Sequence, residues 1–116
     1  MATLNLNRHS EIVVLQNAAV GAANGTVLDT TNALAVKFEV SGTFTALTVN
    51  WEASMDGTNF FAVSATSLAT GTSATTATAT GFYKVDYIIG LVAFRARITA
   101  AGPTGSITVK GVRIEV

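Results

Sequence analysis

Apolar and polar positions alternate with a period of two through most of the second half of the chain. In the clearest run, residues 47–55, one parity is apolar and the other is polar; the apolar members are Leu47, Val49, Trp51, Ala53 and Met55. Successive side chains of a β-strand point to opposite faces of the sheet, so this alternation predicts a strand with one buried face. Trp51 and Met55 are therefore predicted to be core residues.

A turn follows this strand at Asp56-Gly57. An Asp side chain can bond its own backbone two residues on, and Gly tolerates positive φ, so this pair lets the chain reverse before Phe60 and Phe61. Residues 47–63 thus predict a β-hairpin. The parity of its second strand places Phe61 in the core and Phe60 on the opposite face.

Three further runs show the same alternation, with Lys, Glu, Asp or Arg at the polar positions. Their apolar members, which we expect in the core, are Val36, Phe38 and Val40, then Tyr83, Val85, Tyr87 and Ile89, then Val92, Phe94, Ala96 and Ile98. Turn residues predict breaks at Ser41-Gly42, at Gly90 and over residues 101–105. Residues 64–81, which carry no charge and no aromatic ring, are predicted to form a loop or edge strands.

The last apolar run changes phase. Ile107 and Val109 share one parity, whereas the apolar residues from Val112 onward share the other. A single extra residue in a strand produces such a change, so we predict a β-bulge at Lys110-Gly111.

No window combines helical periodicity with capping signals at both ends. Short strands at this spacing predict an all-β chain folded as a single antiparallel β-sandwich, jelly-roll-like in arrangement. We expect residues 34–116 to form the sandwich domain. Residues 1–33, with alternating Leu4 and Leu6 and an apolar run at residues 12–15, are predicted to be peripheral strands or an N-terminal arm that packs on a neighbouring subunit.

The composition is unusually poor in charge. Of the 116 residues, 12% are charged and 49% are hydrophobic, the formal net charge is zero and the mean hydropathy is +0.47. A neutral chain has no field that would attract nucleic acid, so no nucleic-acid partner is expected. An apolar surface excess normally marks an interaction site, so we expect part of the surface to be buried against other subunits.

Membrane insertion is not expected, because the most apolar run, residues 87–101, is interrupted by Arg95 and Arg97 and is too short for a spanning helix. The first eleven residues lack the pattern of a signal peptide. Cysteine is absent, which removes disulfides, thiolate metal sites and Cys nucleophiles.

Candidate catalytic groups are sparse. His9 is the single histidine, whereas a triad or a His-based metal site needs partners. Glu39, Glu52 and Asp86 lie on the polar parity of their strands, where cross-strand pairing with Lys or Arg is the ordinary role. Asp56 has too few oxygen ligands nearby for calcium, so its predicted role is the turn. We expect no enzymatic activity, no cofactor and no metal.

The order and spacing of four segments, residues 40–44, 51–60, 81–86 and 90–99, resemble those of small β-sandwich structural proteins of tailed bacteriophages. The resemblance covers about residues 36–116, and it implies a head decoration protein or a tail or adaptor subunit. The Ser-x-Asp-Gly-x-x-aromatic hairpin is also similar to that of discoidin-like carbohydrate modules.

The resemblance and the low charge together predict a noncatalytic virion structural protein, assembled in the cytoplasm of the host bacterium. A capsid decoration protein is the preferred role, and a carbohydrate-binding or adaptor module of the tail is the alternative. Expected partners are the major capsid protein or other virion subunits and further copies of the chain, as a trimer on a threefold axis; carbohydrate is a possible ligand. The candidate interface residues are Leu4, Leu6, Phe60, Phe82 and Ile88.

Overall fold

A computed structural model describes residues 12–86 and 88–115, which form nine β-strands and no helix. The strands are β1 (Val13–Ala19), β2 (Leu28–Asp29), β3 (Ala33–Ser54), β4 (Phe60–Ala62), β5 (Ala65–Ser67), β6 (Ser73–Ala74), β7 (Thr76–Ala77), β8 (Gly81–Val85) and β9 (Ala93–Glu115). All strand pairs are antiparallel. Over these ranges, no helix is present that could cross a membrane. The predicted all-β class is confirmed.

Two long strands, β3 and β9, form the frame of the molecule. They pair from Ala33 opposite Glu115 to Ser54 opposite Ala93, with register shifts after Ala33 and after Thr45. A straight strand of the 22 residues of β3 would extend about 75 Å at 3.4 Å per residue. The longest dimension of the molecule is 51 Å, so both strands have to bend.

The bend lies at Ala46. The β3–β9 ladder is interrupted between Thr45 and Leu47, where residues 101–103 of β9 lie opposite Ala46. Ala46 adopts a left-handed backbone with φ 56°. The extra residues form an irregular bulge, and a bulge both bends a strand and reverses which parity faces inward. Accordingly, the buried apolar residues of β3 are even-numbered from Val36 to Val40 and odd-numbered from Leu47 to Ala53.

The bend divides the sheet into two layers that pack face to face. The first layer comprises β1, residues 104–115 of β9, residues 33–45 of β3, β8, β5 and β6; the second comprises β2, residues 93–100 of β9, residues 47–54 of β3, β4 and β7. Phe38 of the first layer contacts Trp51 of the second, with ring centroids 4.7 Å apart. The molecule is therefore a β-sandwich, as predicted; the finer jelly-roll-like arrangement stays a prediction.

Two predicted breaks are wrong. The chain does not break at Ser41-Gly42 but continues through β3. Gly42 has φ 114°, and a Cβ there would overlap the carbonyl oxygen of Ser106, so this glycine permits the close approach of β9. The chain also does not reverse at residues 101–105, because β9 passes through the bulge in the same direction.

The bulge predicted at Lys110-Gly111 is also wrong. Pairing with β3 is regular from Thr104 to Ile114. The phase change lies earlier, at residues 101–103, between buried Ile98 and buried Ile107. Gly111 keeps the inward parity, where Leu15 and Phe38 occupy the space that its missing side chain leaves. Val112 and Ile114 are on the outer face and half-buried.

Burial confirms most of the predicted core but corrects three residues. Trp51 and Phe94 are fully buried, and Tyr83 packs on the edge of the core. Met55, Phe61 and Ile89 are exposed instead. Met55 lies just past the end of β3, and Ile89 lies in the turn before β9. Phe61 pairs with the inward-facing Ala53, but β4 is a short edge strand and leaves the ring open to solvent. Tyr87 lies outside the described residues.

Two strands come from residues 12–33, and both pair with β9. Leu15 of β1 and Leu28 of β2 are buried in the core. The arm expected at the N-terminus, with Leu4, Leu6 and His9, lies outside the described residues. The division of the chain at residues 33 and 34 stays a prediction.

Candidate interaction surface

The turn after β3 is built around Asp56. One oxygen, Oδ1, accepts hydrogen bonds from the backbone N–H groups of Thr58 and Asn59, both at 2.8 Å, and from the Ser54 hydroxyl at 2.9 Å. The other oxygen accepts one from the Asn59 amide at 2.8 Å. The backbone N–H groups of Asn59 and Thr58 are the main causes that hold the pKa of Asp56 well below its usual range. These bonds occupy the carboxylate, so the predicted turn role is confirmed.

Glu52 carries an ion-pair network on the outer face of the second layer. Its two oxygens accept hydrogen bonds from Arg95 Nε at 2.8 Å and from Arg97 Nε at 3.0 Å. The Glu52 side chain is only 12% exposed. Its burial raises the pKa, but the hydrogen bonds and charges of the two arginines outweigh burial, so the pKa of Glu52 is lowered. The predicted cross-strand pairing of Glu52 is confirmed, whereas Asp86, which follows the end of β8, pairs with Lys84 of that strand at 3.0 Å.

Phe60 packs against Arg95, one member of this network. The Arg95 guanidinium carbon is 4.1 Å from the centroid of its ring, a cation–π geometry. Phe60 pairs with Ser54 at the edge of the second layer and is half-buried. The interface role predicted for Phe60 stays a prediction.

Phe82 is 57% exposed and lines a groove of about 280 Å³ on the outer face of the first layer. The groove is lined by Ile12, Lys37, Phe38, Glu39, Phe82, Lys110, Gly111 and Val112. The sequence indicated Phe82 by its parity. Val112 was also visible as an apolar residue of the outward parity, but its position suggested a bulge, and nothing in the sequence singled out Ile12.

Ile88 does not belong to this surface. Its side chain is 1% exposed and packs in the core, and its N–H donates to the Leu34 carbonyl at 3.1 Å. The residue that the turn exposes is its neighbour Ile89. Strand β8 ends at Val85, so alternation does not continue beyond it. Counting alternate residues past this point predicts that Ile88 faces outward and Ile89 inward, which is the reverse of what the structure shows.

A second cleft, of about 400 Å³, lies at the end of the sandwich where the loops meet. It is lined by residues 30–33 and 89–92. Thr30 Oγ1 donates to the Leu91 carbonyl at 2.9 Å, and the Thr31 N–H donates to Asp29 Oδ1 at 2.9 Å, which lowers the pKa of Asp29. These polar atoms bond one another. What the cleft offers a partner is therefore mainly apolar contact.

The described part of the chain contains no cluster of three or more His, Cys, Asp or Glu side chains that could hold a metal ion. Its buried polar side chains serve the fold. Gln16, for instance, lies in β1 and donates from Nε2 to the carbonyls of Ala23 at 3.1 Å and Ala96 at 2.8 Å, and so joins β1 to the second layer.

Comparison with known proteins finds one matching family and solved structures of the same fold. A family model described as XepA matches residues 9–113. The crystal structure of the SPBc2 prophage-derived protein YomS has a TM-score of 0.80 and 21% identity, over 89% of this chain and 90% of that one. The crystal structure of the PBSX exported protein XepA has the same TM-score and identity over 89% of this chain, which spans 37% of that longer one. At this identity the two structures show a shared fold. No curated protein gave a significant match.

Proposed function

The chain belongs to the XepA family, and from this premise we propose that it is a noncatalytic structural protein of a bacteriophage that binds other protein subunits through exposed apolar surface. One observation carries the proposal: this sandwich matches 90% of the chain of a protein described as prophage-derived. A single sandwich of this size is thus encoded as a phage-related protein in at least one relative.

Two carboxylates, Glu52 and Asp56, already have bonding partners within the fold, which supports the noncatalytic part of the proposal. Glu52 is bonded to two arginines, and Asp56 is bonded to the backbone of its own turn. A general acid or base has to reach the substrate proton with an available group, and its pKa has to lie near the working pH. Both of these carboxylates have lowered pKa values and serve the fold.

The exposed apolar side chains support the binding part. The most exposed of the large ones are Ile12, Val20, Met55, Leu68, Phe82 and Ile89. Few charges compete with them, because 12% of the residues are charged and the net charge is zero. Burial of apolar area is worth about 25 cal/mol per Å², so modest contacts repeated over a lattice add up to stable attachment.

The preferred location is the capsid, where the protein would bind the major capsid protein as a decoration subunit. On a threefold axis of the capsid it would be a trimer. A rigid sandwich with an apolar docking face is sufficient for this role. Mass spectrometry of gradient-purified particles, with immunogold labelling of the same particles, tests it. The expected result is many copies on heads. Absence from purified particles would contradict the virion role, and labelling confined to tails would favour the adaptor or carbohydrate-binding alternative.

A second candidate is a phage-encoded protein that acts outside the particle. It is favoured by the description of the longer structural relative as an exported protein. Fractionation before and after lysis decides between the two candidates. If the protein accumulates in the medium while the host cells are still intact, it is an exported protein; if it appears only on lysis and sediments with the particles, it is a virion component.

A further inference from the structure

One row of side chains crosses the outer face of the first layer, over the consecutive strands β8, β3, β9 and β1. Strand pairing places Phe82 beside Glu39, Glu39 beside Lys110, and Lys110 beside Val14. Phe82, Glu39 and Lys110 also line the groove on this face. The two outer members of the row are exposed apolar side chains, and the two inner members carry opposite charges. From β8 to β1 the row is therefore apolar, negative, positive and apolar.

The two charges at the centre of the row have no ion-pair partner among the described residues. Glu39 and Lys110 are cross-strand neighbours, yet they form no ion pair with each other. Glu52 and Asp86, by contrast, are both paired with basic side chains. A surface that presents a positive group over Glu39 and a negative group over Lys110 would be complementary to both charges.

The row itself is such a surface, because it is self-complementary. A twofold axis that runs parallel to the strands, midway between β3 and β9, lays β3 of one copy over β9 of the other. Glu39 then faces Lys110 of the second copy, and Lys110 faces its Glu39. Phe82 and Val14 face each other in the same way at both ends of the row. This axis keeps the strands of the two sheets aligned, as in face-to-face packing, where they lie within about 30° of each other.

The apolar ends and the charged centre of the row contribute differently to such a contact. Covering Phe82 and Val14 supplies the favourable free energy, because both side chains are exposed in the single chain. The charge pairs mainly fix the register, since desolvation offsets much of their attraction. Four strands are about 19 Å wide, so a patch about 20 Å long covers about 400 Å² of each copy. An interface of this size is typical of weak, concentration-dependent complexes.

We propose that this row is the contact of a twofold dimer, in which each Glu39 pairs with Lys110 of the second copy. The same patch is used by both copies, as in any isologous interface. This contact requires only copies of the chain, so it does not depend on a role in the virion. It is also distinct from the threefold contact proposed for the capsid.

Charge reversal tests the pairing. In Glu39→Lys two lysines face each other across the axis, and in Lys110→Glu two glutamates do. Each variant alone is therefore expected to dimerise at least about tenfold more weakly than the natural chain. In an equimolar mixture of the two variants every charge again faces its opposite, so we expect dimers to form. Analytical ultracentrifugation over a range of protein concentrations measures the monomer–dimer equilibrium.

The mixture also separates lost pairing from lost folding, because a misfolded variant would not be rescued by another variant. The control Asn24→Lys/Thr58→Lys changes the net charge by the same amount as Glu39→Lys, at exposed positions outside the row, and should dimerise like the natural chain. A natural chain that stays monomeric, dimers that neither reversal weakens, or a mixture that stays monomeric would each overturn the proposal.

Chemical cross-linking gives a second readout on the natural protein. A carbodiimide joins a carboxylate to an amine that contacts it, without a spacer. In a mixture of isotope-labelled and unlabelled protein, we expect Glu39–Lys110 cross-linked peptides that combine a labelled half with an unlabelled half. Cross-linked peptides of uniform label would place the pair within one chain and contradict the proposal.

Discussion

The rings of Phe38 and Phe94 lie 4.9 Å apart with their planes tilted by 36°. Phe94 is near the start of β9, whereas Phe38 pairs with Gly111 near the end of β9. This contact requires β9 to fold back on itself. It therefore joins the two layers, and both rings are buried.

We expect Phe94→Ala to destabilise the protein by about 3–5 kcal/mol, because it removes a fully buried ring and leaves a cavity between the layers. Urea unfolding followed by the fluorescence of Trp51 measures the change. The control is Phe61→Ala, whose ring is 43% exposed and whose loss should cost much less. Equal losses for the two variants would show that Phe94 does not join the layers.

Glu52→Gln should lower the free energy of unfolding by about 1–3 kcal/mol. The change leaves Arg95 and Arg97 without their carboxylate, and a lost hydrogen bond to a charged group costs this much when it is mostly buried. The partial exposure of the arginines keeps the loss below that of a fully buried pair. Asp86→Asn, which breaks the exposed pair with Lys84, should change stability by less than about 1 kcal/mol. Chemical denaturation of both variants checks the difference; a larger loss for Asp86→Asn would contradict it.

Stability should fall in acid. The folded-state pKa values of Asp56 and Glu52 are lowered from ordinary values of 3.8 and 4.5. A lowered pKa means that the unfolded chain binds protons more readily, so these contributions are complete above about pH 4.5 and are lost as the pH falls further. Urea midpoints at pH 7 and pH 3 measure the loss. Asp56→Asn should reduce the difference between them, whereas Asn24→Ser, an exposed change that involves no titratable group, should leave it unchanged. Equal pH dependence in Asp56→Asn and the natural protein would be the contrary result.

Gly105→Ala should be strongly destabilising. Gly105 has φ 82°, and a Cβ there would overlap the carbonyl oxygen of Thr43 on β3. The left-handed backbone alone costs about 1–2 kcal/mol for a residue with a Cβ, and the overlap adds to it. Gly21→Ala is the matched control, because its Cβ would meet nothing within 4 Å and its φ is not positive; it should change stability by less than about 0.5 kcal/mol. Thermal unfolding of the two variants compares them, and a neutral Gly105→Ala would show that β3 and β9 can separate here.

The alternation of apolar and polar residues was enough to predict β-strands and most of the core residues. Alternation around Trp51 and Phe94 predicted strands with one buried face, because the side-chain period of a strand is a property of its backbone. The Asp56-Gly57 turn was predictable for the same reason, since its hydrogen bonds join residues within three positions of one another. The low charge likewise predicted an interaction surface.

The tertiary structure alone decided where the long strands bend and which apolar residues stay exposed. It also decided at which residues of β9 the inward-facing parity changes. Ala46 looks like any strand residue, and its left-handed backbone follows from packing the two layers together. Ile88 is buried and Ile89 is exposed, the reverse of the prediction, because β8 ends before them at Val85. Phe61 is exposed because β4 is an edge strand that pairs on one side only, with β3. Glycines read as turns at residues 42 and 105 instead allow two strands to approach closely. These outcomes depend on contacts between residues far apart in the chain, and local alternation carries no information about them.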